Sequence, residues 1–149
     1  MKIALGSDHG GLNLKKAIIM HLESKNVQVK DFGAYTEESC DYPDYALEVA
    51  SEVVADNFEL GILICGTGIG IGIAANKVPG IRAALCNDTF SAHAAREHNN
   101  ANILTMGARV IGTGLALDIV DAFINAEFQG DRHQKRIDKI TEIEKRYTK

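Results

Sequence analysis

Cys65 is followed at once by Gly66, Thr67, Gly68, Ile69, Gly70, Ile71 and Gly72. A thiol placed before such a run has a physical use. Glycines let the backbone approach a ligand closely and let successive N–H groups point the same way. A nest of that kind at the start of a helix attracts negative charge, and the same partial positive charge favours a thiolate over a thiol. A base beside an anion hole is what proton abstraction next to a carbonyl requires. The plainer account of the same stretch is a buried Cys and a tight strand–helix turn, open to any α/β protein.

Other reactive residues are scattered along the chain. Asp8-His9, in GSDHGG, can cap a helix or make polar contacts to a small hydroxylated ligand. His98 stands in REHNNAN at the expected end of a helix, where an imidazolium suits the dipole. Asn99 and Asn100 beside it are ordinary C-cap residues. Arg132 and Arg136 are four apart and share a helix face. They are either solvated charge or a phosphate clamp. Cys40, His21 and His93 are read as structural, and Cys86 is given no role. Metal binding is not expected: His93 and His98 are five apart, off one helical face, and HExxH is absent.

The elements that must position these residues follow from hydrophobic periodicity. Lys2 to Ser7 reads as a buried strand, followed by a helix from Leu12 to Lys25 with Leu14, Ala17, Ile18 and Leu22 inward and Lys15, Lys16, Glu23 and Lys25 elsewhere. A strand from Val27 to Phe32, a loop over 33–43 and a helix from about Asp44 to Asp56, capped by Asp44, come next. The apolar run Ile62–Leu63–Ile64 ending at Cys65 reads as a strand buried on both faces, with 73–77 helical beyond the glycines. Ile81 to Leu85 is a strand, and Thr89 caps a helix to about His98. Ile103 to Met106 is a strand and Thr113 to Ala126 a strongly apolar helix. Asp131 with Gln134 forms a capping box for a last helix over Arg132 to Tyr147. Strands alternating with helices make a parallel sheet covered on both faces. Ligands then bind outside the carboxyl ends of the strands, where Asp8, His9, Cys65, Thr67 and Arg109 fall.

At 149 residues the chain suits one domain, 1–149, with a full core. A net charge of −4 argues against a broadly basic nucleic-acid surface. Three widely spaced cysteines without CxxC point to reduced thiols in the cytoplasm rather than a disulfide framework. The opening MKIALGSDHGG has too short an apolar run for a secretory signal, and no segment is expected to cross or join a membrane. A GxGxxG counted from Gly66 needs Gly at 71, where Ile71 stands. Asp88 does lie near where a ribose-binding acid would sit, which keeps a flavodoxin-like nucleotide-binding module as a competing class. A Walker loop fails because Val78 follows Lys77.

Taken together, GSDHGG, ICGTGIGIGIAANKVPGIRAAL and AREHNNANILTMGARVIG resemble the type B ribose-5-phosphate isomerase family, with its allose and galactose 6-phosphate relatives. The likeness covers essentially the whole chain. It implies a three-layer, Rossmann-like α/β sandwich with a five-stranded parallel sheet. It also implies a cofactor-independent aldose–ketose isomerase of the pentose phosphate pathway that uses neither metal nor nucleotide. By that likeness Cys65 takes the C2 proton and returns it to C1, while Gly66, Gly68, Ile69 and Gly70 hold the enediolate. His98 opens the sugar ring, helped by Asp8 and Thr67, and Asn99 contacts the sugar. His9, Arg109, Arg132 and Arg136 bind the phosphate. A Glu that replaces the thiol in one branch of the family would stand at Ile71, so here only Cys65 is left. The resemblance also implies a homodimer or homotetramer with shared active sites, one subunit supplying Cys65 and the other His98 and arginines, and the last helix packing on a partner. Preference for a pentose over a six-carbon 6-phosphate stays open.

Overall fold

A computed structural model describes residues 1–149. Five parallel strands form one sheet: β1 (Lys2–Ser7), β2 (Gln28–Asp31), β3 (Leu60–Cys65), β4 (Ala83–Leu85) and β5 (Ile103–Gly107), in the order β2-β1-β3-β5-β4. The helices are α1 (Leu12–Ser24), α2 (Tyr42–Val54), α3 (Ile69–Ala75), α4 (Thr89–Asn99), α5 (Thr113–Ile124) and α6 (Arg132–Tyr147), with a short 3₁₀ turn at His9–Gly11.

Alternation along the strands sorts the core into two layers. Ile3, Leu5, Ile62, Ile64, Leu104 and Met106 face α1, α4 and α5, packed on Leu14, Ile18, Ala92, Ile119 and Phe123. Ala4, Leu63, Cys65 and Ile103 face α2 and α3, packed on Val49, Val53, Ile71 and Ala75. This is the expected three-layer sandwich. The chain leaves β1 toward β2 on one side and enters β3 on the other. The crevice between the carboxyl ends of β1 and β3 is therefore the switch point where such sheets bind ligands. No helix is long and apolar enough to cross a membrane.

Several expected boundaries move, each for a local reason. The second helix starts at Tyr42, with Asp41 at its N-cap position and Asp44 already in the first turn. Pro43 lacks the N–H that a first turn cannot use, so it joins the helix instead of preceding it. α4 is capped by Asp88, not Thr89. The Asp88 carboxylate accepts from Ser91 N at 2.7 Å and from Ser91 Oγ at 2.9 Å, which holds it below the usual carboxylate range and accounts for this acid without a ribose. Asp131 sits at φ 50° and caps nothing, and Gln134 donates to Asp138 Oδ1 at 2.7 Å, so the expected capping box is absent. The helix after the glycines begins at Ile69, not Ile73. Edge strands β2 and β4, each paired on one side only, are shorter than the expected Val27–Phe32 and Ile81–Leu85.

Lys15 is the larger departure. It belongs to the polar positions of α1 by periodicity, yet it is fully buried. Its Nζ lies 2.7 Å from Asp31 Oδ1 and donates to Ala34 O at 2.5 Å. Burial lowers its pKa and Asp31 opposes that. Lys15 thereby ties α1 to the end of β2 and to the loop that follows.

Candidate active site

β3 delivers Cys65 to the carboxyl edge of the sheet, with the thiol 5% exposed on the α2–α3 side. The backbone then reverses: Gly68 takes φ 78°, a conformation open to glycine at little cost. A Cβ there would lie 2.7 Å from the Met106 carbonyl carbon. The reversal brings Gly68 N–H back to donate to Cys65 Sγ at 3.1 Å. Beneath it Gly107 admits the Thr67 backbone, since a Cβ on Gly107 would meet the Thr67 carbonyl carbon at 2.5 Å.

One residue that sequence reasoning missed holds this turn from below. Thr105, fully buried on β5, donates from Oγ1 to Gly68 O at 2.9 Å. A planar peptide points its N–H opposite its C=O, and Ile69 N–H accordingly donates upward to Thr67 Oγ1 at 3.2 Å. The signal was present: a hydroxyl inside a strand buried on both faces must find a partner.

β1 brings its loop to the same edge. Asp8 N–H donates to Ile64 O at 3.2 Å. The Asp8 carboxylate, 8% exposed, accepts from Gly11 N at 3.1 Å. His9 is half-buried, and its Nδ1 accepts from the Cys40 N–H at 3.2 Å, leaving Nε2 to carry the ring proton toward a ligand. Cys40, read as structural, thus orients His9 through its backbone. From β5, Arg109 N–H donates to Gly66 O at 3.0 Å, and its side chain runs over Gly66, with Nε 3.6 Å from where a Cβ would stand. Asp8, His9, Cys65, Gly66, Thr67, Gly68, Ile69, Gly70 and Arg109 are one constellation around a buried sulfur.

His98, Asn99, Arg132 and Arg136 form another, at the opposite end of the sheet. α4 runs antiparallel to the strands. Its end is followed by Asn102, whose carbonyl accepts from Gly61 N–H at 2.9 Å, at the start of β3. Gly61 and Cys65 are separated by about 13 Å of extended chain. His98 stacks on His133 of α6, ring centroids 4.5 Å apart and planes at 13°. His133 also escaped the sequence reading. It is 6% exposed, and its Nε2 is buried without a hydrogen-bond partner. Burial lowers its pKa, and the neighbouring His98, Arg132 and Arg136 add to that, with Asp131 opposing. The exposed Arg132 and Arg136 beside the paired imidazoles make a cationic patch suited to a phosphate dianion, with the arginines carrying the charge.

The remaining candidates have structural places. Cys86 is in the core, and burial, with Asp88 nearby, pushes its thiol up to about 11. His21 pairs with Asp121 at 2.7 Å, and His93 with Glu97 at 3.3 Å. No three His, Cys, Asp or Glu side chains converge as metal ligands. The largest cavity, about 720 Å³, does not touch Cys65. It lies under α6, lined by Pro79, Ile81, Arg82, Asn99, Ile140 and Ile143 among others.

Comparison with known proteins gives the family and the fold. The profile of a family described as Ribose/Galactose Isomerase matches residues 3–140. The chain is 50% identical over 145 residues to ribose-5-phosphate isomerase B of Escherichia coli, covering 97% of each. It is 47% identical over 146 residues to ribose-5-P isomerase B of Listeria innocua, covering 98% of this chain and 99% of that one. Among solved structures, ribose-5-phosphate isomerase B of Clostridium thermocellum superposes with a TM-score of 0.98 at 57% identity, over 99% of this chain and 100% of that one. The Mycoplasma genitalium enzyme with bound ribulose-5-phosphate superposes at 0.92 with 48% identity, over 97% and 96%.

Proposed function

This chain belongs to the ribose/galactose isomerase family, and we propose on that footing that it interconverts D-ribose 5-phosphate and D-ribulose 5-phosphate through an enediolate. The relatives named above carry that activity in their names, and one was solved with ribulose-5-phosphate bound. The observation that carries the reading here is the Cys65 sulfur at the sheet's switch point, with the Gly68 N–H donating to it at 3.1 Å.

The residues divide the work as follows. His98 moves the proton that opens the furanose, with Asp8 and Thr67 as polar helpers. The Cys65 thiolate, lying over C1 and C2, takes the C2 proton and returns it to C1. N–H groups of the glycine turn from Gly66 to Gly70, Ile69 included, hold the charge that develops on O1 and O2, each worth a few kcal/mol by analogy with oxyanion holes, roughly. Asn99 contacts the sugar. His9, Arg109, Arg132 and Arg136 take the phosphate and contribute positioning rather than chemistry.

The site is completed by a second copy of the chain. Within one chain Cys65 and His98 stand at opposite ends of the sheet, too far apart for one five-carbon sugar. Apolar side chains beside the glycine turn support a covered face: Ile69, Ile73 and Leu85 are 52%, 57% and 40% exposed. On α6, Ile140, Ile143 and Tyr147 stand exposed as well, which supports that helix packing on a partner. The assembly is at least a homodimer, a single-domain cytoplasmic enzyme with shared sites.

Cys65→Ala tests the reading. It should abolish isomerisation in both directions while the melting temperature and the binding of sugar phosphate persist. A kcat near wild type would remove Cys65 from its role.

A further inference from the structure

The turn that ends α4 is held by more than a helix end needs. Asn100 closes the helix in the left-handed conformation, φ 46° and ψ 42°. Backbone bonds already cap it: Asn100 N–H donates to Arg96 O at 3.2 Å and Ala101 N–H to Ala95 O at 2.9 Å. That is ordinary C-terminal capping. Two arginines are added to it. Arg82, just before β4, donates from Nε to Asn99 O at 3.0 Å and from its NH2 nitrogen to Asn100 O at 2.9 Å. Arg96 donates to Asn100 Oδ1 at 3.0 Å and to Ala101 O at 2.7 Å, with its guanidinium 5.9 Å from the Phe123 ring centroid.

Both guanidiniums are half-buried, and desolvating two like charges side by side is costly. Burial lowers the pKa of each; Glu144 opposes this at Arg82, and the Arg82 charge adds to it at Arg96. One nitrogen, Arg96 Nε, is buried with no partner. A surface turn with complete backbone capping does not require this outlay. What the turn carries is His98 and Asn99. The same hardware reaches α6: Glu144, which opposes the Arg82 shift, also accepts from Gly80 N–H at 3.0 Å. α6 is the helix whose His133 stacks on His98.

The geometry points to Arg82 and Arg96 as positioning residues that lock the backbone from Asn99 to Ala101, so that His98 and Asn99 meet the substrate in one orientation. This rests on the reading of His98 as the ring-opening group. Neither arginine touches the reacting atoms; each acts through the segment it clamps. A planar fork holding two successive carbonyls defines a direction that a lysine ammonium cannot.

A double-mutant cycle tests this. Arg82→Lys keeps the charge and loses the fork. With ribose 5-phosphate its kcat should fall about tenfold while KM stays within about threefold, the signature of a misaimed group rather than a lost binding contact. In a His98→Asn background the same substitution should lower kcat less than about twofold, because the proton-transfer group it aims is gone and Asn99, the other, contacts the sugar without transferring a proton. Equal losses in both backgrounds, or no loss in the wild type, overturn the positioning role and leave His98 in its place. A His98→Asn enzyme of undiminished kcat overturns the reading of His98 and this inference with it. Should Arg82→Lys fail to fold, Arg96→Lys enters the same cycle with the same expected outcomes.

Discussion

Replacing Thr105 by Val isolates one hydrogen bond under the glycine turn. The side chain is fully buried and nearly unchanged in volume, but Oγ1 no longer donates to Gly68 O, 2.9 Å away. Gly68 is the N-cap of α3, so its carbonyl keeps the first bond of that helix. Losing the second bond costs about 0.5–1.5 kcal/mol, and the added buried methyl returns about 0.8 kcal/mol. The net loss of stability should stay below about 1 kcal/mol, read from urea unfolding. Catalysis should suffer more. Without the Thr105 bond the Gly68–Ile69 peptide is held by the helix bond alone, and the N–H now bonded to Thr67 Oγ1 shifts with it, while the N–H at Cys65 Sγ belongs to the adjoining peptide and loses a fixed neighbour. Misaligning one such donor costs up to about 100-fold in kcat. The initial rate of ribulose 5-phosphate formation should therefore fall about 10- to 100-fold with little change in KM. Thr105→Ser keeps the hydroxyl and should retain most of kcat. A Val variant that loses stability yet keeps kcat within about twofold would refute the idea that this carbonyl aims the turn.

Removing Arg132 and Arg136 together by Ala should raise KM for ribose 5-phosphate at least about tenfold, with a smaller change in kcat; an unchanged KM would contradict the clamp. Lys15→Met should cost about 2 kcal/mol in urea unfolding, since Asp31 and Ala34 O lose their buried donor; a change under about 0.5 kcal/mol would mean the loop is held by other contacts. Acid should weaken the fold in two stages. His133 has a lowered pKa, so its contribution is present above the usual histidine value of 6.5 and lost as pH falls through its lower folded value. Burial works to raise the Asp121 carboxyl, but hydrogen bonds from His21 and Lys25 outweigh it, so this contribution is present above 3.8 and lost below. A melting temperature flat from pH 7 to about 4 would exclude the His133 stage.

How much could be read in advance differs between elements. β3, its thiol and the glycine turn were legible because they are contiguous, and burial on both faces leaves an unbroken apolar run. The last helix was legible over its whole length, Arg132–Tyr147. The capping box at Asp131 was not, because that residue's backbone turns its carboxylate away at φ 50°, and no local pattern reports such a turn. Lys15 follows the polar spacing of α1 and is buried all the same, because Asp31 and Ala34 come to it from β2 and the loop beyond. Thr105 stands in an apolar strand for a reason that lies 37 residues away, at Gly68.

The groups proposed to act on a sugar phosphate come from the likeness of whole motifs to a family; residue order alone establishes the alternating strands and helices and the sulfur beside its glycines. Periodicity and turn chemistry are local, and they suffice for that much. Folding decides which of those groups share a neighbourhood. Parallel strands send Cys65 to one rim of the sheet, and the antiparallel return of α4 sends His98 to the other, with His133 and the arginines of α6 gathered around it. That separation follows from chain direction and element length, which act across the whole sheet, so residues that the sequence motifs group together stand at opposite rims of the fold.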